Sequence, residues 1–151
     1  MVRQLQPWYE NVGKRQVKAP KIYLRDSGLL HALLNLSDFQ TLHGYPRVGA
    51  SWEGFAIEQI LRIIKPPQAF FWATHTGAEV DLFFLSHGRR CGVECKFSET
   101  PKITKSMNQA LESLNLTHLW VIYPGEHPYP LSKQISVWPM KNIAALPKQL
   151  R

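Results

Sequence analysis

Apolar and polar positions along this chain change period several times, and each change marks an element. The clearest pattern lies between Thr76 and Lys96. Two runs, Ala78-Glu79-Val80-Asp81-Leu82-Phe83-Phe84-Leu85 and Cys91-Gly92-Val93-Glu94-Cys95-Lys96, flank a short Ser86–Arg90 connection that contains Gly88. They read as the two strands of a hairpin. Side chains alternate faces along a strand. Val80, Leu82 and Phe84 are therefore expected on one face of the first strand, with Glu79 and Asp81 on the other. On the second, Cys91, Val93, Cys95 and Phe97 oppose Glu94 and Lys96. Charged groups inside strands this apolar require a partner or a metal.

The pattern switches to a helical period from Ser51 to Lys65, where Pro66-Pro67 halts it. Its spacing puts Glu53 in line with Ile57, Ile60 and Ile64 and leaves Glu58 and Arg62 on the opposite, solvated side. A carboxylate in line with the apolar stripe at the first turn either favours the helix dipole or joins a polar site.

Upstream, residues 21–26 alternate weakly as a strand. Asp26 or Ser27 then offers an N-cap for a helix through Leu29, Leu30, Leu33 and Leu34, and residues 35–50 read as a loop. Downstream, residues 69–74 read as a strand, with His75-Thr76-Gly77 as a turn. A loop spans Ser98–Lys102, and a helix spans Thr104–Leu114 with Met107, Ala110, Leu111 and Leu114 inward. Residues 117–123 form a nearly unbroken apolar strand, as in a covered sheet. A Pro-rich loop (124–133), a short strand (134–138) and a terminal helical turn or two (141–146) complete the chain. A hairpin followed by a strand-helix-strand crossover gives a mixed sheet with helices on its faces, an α/β or α+β fold. Residues 21–151 are expected to form one domain. Residues 1–20, with Lys14, Arg15 and Lys18, read as a basic arm, either a loop or an extended segment with a short strand.

A chain of 151 residues with 44% hydrophobic and 11% aromatic residues can bury a core. No apolar run is long enough to span a membrane, and the N-terminus lacks a signal-peptide core. The two cysteines, Cys91 and Cys95, are spaced unlike a zinc knuckle and read as small buried hydrophobes, which fits a reducing cytoplasm. A formal net charge of +7 fits a polyanionic partner without requiring one.

The chemistry lies in the charged strand residues. Asp81 and Glu94, on neighbouring strands, form a hard-oxygen pair suited to Mg²⁺ or Mn²⁺. The Cys95 backbone carbonyl and Glu53 are candidate additional ligands. Lys96 is placed to orient water or to neutralise charge at a phosphate. Glu79 is either an ion-pair partner of Lys96 or a further ligand. His75, in the turn before Asp81, and Gln109, at the edge of its helix's inward face, are supporting candidates with ordinary surface or core-edge roles as the alternative. Glu94 and Lys96 also admit a plain cross-strand ion pair.

Asp81, twelve residues, then Glu94-x-Lys96, with Glu53 on an upstream helix, resembles the PD-(D/E)XK nuclease signature. Val80 stands where the proline of that name would be. Closer still, the chain resembles the C-terminal domain of unknown function 4143 found on many bacterial and archaeal AAA-type ATPases. The matching pieces are Asn11 to Tyr23, Asp26-Ser-Gly-Leu-Leu, Trp52-Glu53-Gly-Phe, Gly77-Ala-Glu79-Val-Asp81 and Val93-Glu94-Cys-Lys96. The resemblance implies a restriction-endonuclease-like α-β-β-β-α-β core and metal-dependent hydrolysis of DNA or RNA. It also implies an attached ATPase module, although no G-x-x-x-x-G-K-[ST] loop occurs here. The first alternative is a non-catalytic module of that ATPase, binding nucleic acid or protein. The second is a homo-oligomerisation domain built on the apolar C-terminal strands.

Overall fold

The computed structural model describes residues 1–9 and 19–150; Lys14, Arg15 and Lys18 of the basic arm lie outside the described residues. The element that orders the rest is helix α3, Val48–Ile64. It starts three residues before the expected Ser51 and stops where expected. Lys65 adopts a left-handed conformation (φ 49°) just before Pro66-Pro67, which cannot continue a helix. Before it come strands β1 (Val2–Pro7) and β2 (Lys21–Leu24) and helices α1 (Ser27–Leu33) and α2 (Phe39–His43). After it come β3 (Ala69–Ala73), β4 (Glu79–Ser86), β5 (Arg89–Cys95), helix α4 (Lys105–Leu114), β6 (His118–Tyr123), β7 (Tyr129–Pro130) and β8 (Ile135–Pro139). A 3₁₀ segment, Met140–Leu150, ends the described chain.

The strands form one mixed eight-stranded sheet in the order β2-β1-β3-β4-β5-β6-β8-β7. The β1/β3, β5/β6 and β6/β8 pairs are parallel and the others antiparallel. Val2–Pro7 is therefore a sheet strand between β2 and β3. Helix α3 and the 3₁₀ segment cover one face, packing Ile57, Ile60, Ile143 and Leu146 on Phe71, Leu82, Val93 and Ile122. Helix α4 covers the other, packing Met107, Ala110 and Leu114 on Trp72, Val80, Phe83 and Val121. Asp26, one of the two expected caps, accepts the Leu29 N–H at the start of α1, and Thr104, read as the first residue of its helix, caps α4 by accepting the Met107 N–H.

Four local expectations are corrected. The stretch 35–50 holds the five-residue helix α2, nucleated by Asp38, which accepts the Thr41 N–H at 2.7 Å. The Pro-rich stretch holds the two-residue edge strand β7. Glu58 is not solvated: it is 4% exposed. Helix α3 is covered on a second side by the β1–β2 hairpin, where Gly54 lets the Tyr23 ring approach and Arg3 and Arg25 grip Glu58. Arg3 donates from Nε at 2.6 Å and from Nη2 at 3.1 Å, and Arg25 from Nε at 2.9 Å. Fourth, Val80, Leu82 and Phe84 do not share a face. The β3–β4 register shifts between Phe70 and Trp72, so that Phe70 pairs with Phe83 but Trp72 with Val80. The extra β4 residue is a bulge at Asp81-Leu82. It sends Val80 to the α4 face with Phe83, and Leu82 to the α3 face with Phe84.

Candidate metal centre

The bulge places the central carboxylate. The β4–β5 ladder runs from Ser86/Arg89 to Leu82/Val93 and ends there. Beyond it the strands separate, and the Asp81 side chain replaces the missing backbone partner: its Oδ2 accepts the Cys95 N–H at 2.8 Å. Asp81 is 6% exposed. A carboxylate substituting for a ladder carbonyl is held rigidly, and its other oxygen is left to face the cluster.

Three carboxylates meet at that point. Glu53 arrives from the first turns of α3, and Glu79 and Asp81 from the start of β4. One oxygen of each lies within 4.8 Å of the others, which makes them, among the described residues, a group able to hold a metal ion. Glu94, also 6% exposed, lies close enough for its charge to act on Asp81, but its Oε1 is taken by Lys96 Nζ at 2.6 Å. No donor among the described residues meets its buried Oε2. A buried carboxylate oxygen without a donor is costly and is the kind of group a cation satisfies. Lys96 thus faces Glu94, and Glu79 pairs with a different lysine.

That lysine is Lys21, to which the residue pattern assigns no role. Its Nζ lies 2.9 Å from Glu53 Oε1 and 3.3 Å from Asp81 Oδ1, and it also forms an ion pair with Glu79. The Tyr23 hydroxyl donates to the same Glu53 oxygen at 2.5 Å. The usable signal was the i, i+2 spacing of Lys21 and Tyr23, which puts both on one face of β2. The Cys95 main chain meets the cluster through its N–H, which donates to Asp81. His75 is exposed in the β3–β4 turn. Gln109 is half-buried on α4, which packs on the sheet face opposite Glu53. The structure does not bring either into the cluster.

The electrostatics follow from crowding in a dry place. Burial pushes the Asp81 carboxyl well above the ordinary carboxylate range, the Glu94 and Glu53 charges push it further, and Lys21 and the Cys95 N–H only partly oppose them. Burial likewise raises Glu94, against the pull of Lys96. Burial works against the Lys21 ammonium, yet the Asp81 and Glu53 charges outweigh it and hold Lys21 above lysine's usual range. Burial, then Asp81 and Glu53, raise Cys95, so it remains a neutral thiol rather than a soft thiolate ligand. With all four carboxylates ionised, four negative charges face the two ammonium groups of Lys21 and Lys96, leaving two negative charges.

Both cysteines are free and buried, and among the described residues no helix is long and apolar enough to cross a membrane. No solved structure matches the chain. Two similar proteins, an uncharacterised protein of Mycobacterium tuberculosis and one of Mycobacterium bovis, are each 47% identical over 143 residues. Those residues are 95% of this chain but 32% of each relative, so the chain spans about a third of their length. Residues 1–40 match a second family, described as a domain of unknown function (DUF8612), so the Asn11–Tyr23 and Asp26–Leu30 pieces of the earlier resemblance fall in that family's span. Residues 48–143 match the domain of unknown function DUF4143 and contain Glu53, Glu79, Asp81, Glu94 and Lys96; the chain belongs to the DUF4143 family.

Proposed function

We propose that this chain is a metal-dependent phosphodiesterase domain of PD-(D/E)XK type acting on DNA or RNA. The observation that carries the reading is the convergence of Glu53, Glu79 and Asp81 beside a buried, donorless Glu94 oxygen. The donor set is all hard oxygen, the chemistry of Mg²⁺ or Mn²⁺, and the excess of carboxylate over ammonium charge favours a divalent cation. The order α3-β3-β4-β5-α4-β6 supports the restriction-endonuclease-like core that the resemblance implies.

Asp81, Glu79 and Glu53 would hold the ion, with Glu94 contributing its free oxygen. When bound, the ion supplies Lewis-acid polarisation of a phosphoryl oxygen and a more acidic water. The chain's own part is positional. The Cys95 N–H fixes Asp81, and Tyr23 fixes Glu53. Lys96, charged despite partial burial because Glu94 adjoins it, is placed to hold a water or a phosphate oxygen. The net reaction adds water across one P–O ester bond, leaving a phosphate on one fragment and a hydroxyl on the other. An attached AAA-type ATPase belongs to the same proposal; it would lie in the two thirds of the relatives that this chain does not cover.

The test is Mn²⁺- or Mg²⁺-dependent cleavage of single-stranded DNA, duplex DNA and RNA by the wild type, Asp81→Asn and Lys96→Met. Cleavage lost in both variants and in EDTA is expected; cleavage that survives Asp81→Asn rules the assignment out. One observation favours a second reading, a non-cutting binding module of the ATPase: Lys21 already pairs with three of the four carboxylates. Under that reading nucleic-acid or protein binding persists in Asp81→Asn and no metal is needed.

A further inference from the structure

We infer that Lys21 is a built-in occupant of the carboxylate cluster, whose ammonium a divalent cation must expel before the centre can be loaded. The inference rests on the metal-centre reading above and concerns how that centre is regulated.

The ammonium touches each of the three carboxylates that define the site: Glu53 at 2.9 Å, Asp81 at 3.3 Å, and Glu79 in an ion pair. A cation bonded to the same three oxygens at about 2.1 Å needs the space the ammonium fills. One position therefore has two competing cations, one of them tethered. The tether permits exchange. Lys21 lies on a four-residue edge strand hydrogen-bonded on one side to β1, and its side chain is 24% exposed. Its ammonium lies 5.4 Å from the centre of the buried Phe71 ring, so the side chain is packed on its inner side and open on its outer one. Rotation of the side chain, with no backbone movement, takes the ammonium to solvent. Tyr23 remains on Glu53 in either state, so the carboxylate keeps its aim when Lys21 departs.

The arrangement has two consequences. Without metal, the ammonium stabilises a cluster that would otherwise repel itself. With metal, binding is weakened by the work of expelling it, so the loaded state forms only where free cation is plentiful or where a phosphate adds its own contacts.

Two measurements on the full 151-residue chain test this. Calorimetric titration with Mn²⁺ should show Lys21→Met binding at least tenfold more tightly than wild type. Separately, brief acylation of the wild type, read by mass spectrometry, should show labelling at Lys21 rising several-fold when Mn²⁺ is saturating. Exposed Lys133 and Lys148 serve as references that should not change. The second measurement stands even if Lys21→Met folds poorly. Wild type that binds Mn²⁺ with Lys21 labelling unchanged, or Lys21→Met that binds no tighter, overturns the inference and leaves the metal centre in place. Absence of Mn²⁺ binding in both proteins overturns the inference and the metal centre together.

Discussion

Replacing Asp81 by Asn should make the metal-free protein more stable. The carboxylate is 6% exposed, and one of its oxygens lies within 4.8 Å of an oxygen of Glu53 and of Glu79. At an effective dielectric of about 20, two unit charges 4.8 Å apart repel by ~3.5 kcal/mol, so the two repulsions come to ~7 kcal/mol. The Lys21 ammonium at 3.3 Å returns ~5 kcal/mol. The balance, ~2 kcal/mol, favours losing the charge, and the nearby Glu94 and the burial of Asp81 act in the same direction. Asn keeps an oxygen for the Cys95 N–H, so the β4–β5 junction survives. We expect a gain of about 1–2 kcal/mol, or roughly 2–8 °C in Tm for a chain of this size. The sign also sets the pH dependence. The Asp81 pKa is raised on folding, so its penalty is full above the folded value and disappears below the unfolded one, near 3.9. The advantage of Asp81→Asn should therefore shrink as pH falls through the raised folded value toward the unfolded one. Circular-dichroism melts in EDTA measure both effects. With Mn²⁺ at about a hundred times its Kd, the wild type should recover ~2.7 kcal/mol and the variant nothing. A lower Tm for Asp81→Asn in EDTA would refute this reasoning and make Asp81 a structural cap rather than a strained functional group.

Further expectations concern the scaffold. Glu58→Gln should lower stability by about 2 kcal/mol, because the amide is uncharged and its NH2 replaces the oxygen that accepts from Arg3 Nε, although the partly exposed guanidinium groups can rehydrate. The Glu58 pKa is depressed: its burial is outweighed by hydrogen bonds from Arg3 and Arg25. Its contribution is therefore full above the unfolded value, near 4.3, and is lost as pH falls through the folded one, so the two melting curves should converge below about pH 4. Gly92→Ala should destabilise by about 1–3 kcal/mol, since an added Cβ would sit 2.7 Å from Leu116 Cδ1 and 2.9 Å from Leu119 Cδ1. Urea unfolding of that variant should show a lower midpoint with an unchanged slope.

Much of the fold was legible because long periodic segments leave little choice. The 51–65 pattern with its Pro-Pro stop, the apolar run at 117–123, the cap at Asp26 and the helical period from Thr104 each produced the expected element. The candidate site was legible in part. Charged residues in otherwise apolar strands, Asp81 and Glu94, and Glu53 in the helix stripe, drew attention because burying them demands compensation. What was missed has specific causes. A strict two-residue period cannot reveal a bulge, so the faces of Val80 and Leu82 were misassigned and the aim of Asp81 went unexplained. A helical wheel assumes one wet side, yet α3 is covered twice, and Glu58 fell on the second covered side. Lys21 and Tyr23 sit on a four-residue strand too short for alternation to stand out, and their partners lie about 30 to 60 residues away.

The β1–β2 hairpin has a consequence for inheritance. Arg3, Lys21, Tyr23 and Arg25 lie in the 1–40 span matched by one family, while the carboxylates they serve lie in the 48–143 span matched by another. The centre is thus a joint product of two sequence units, and neither carries it alone. Cutting between them would strip β3 of its parallel neighbour and leave Glu53, Glu58, Glu79 and Asp81 without their cations. The two units should therefore travel together among relatives, with a change at Lys21 matched by changes at Glu53 or Glu79. A chimera that swaps the first unit alone should fail unless those pairs are swapped with it.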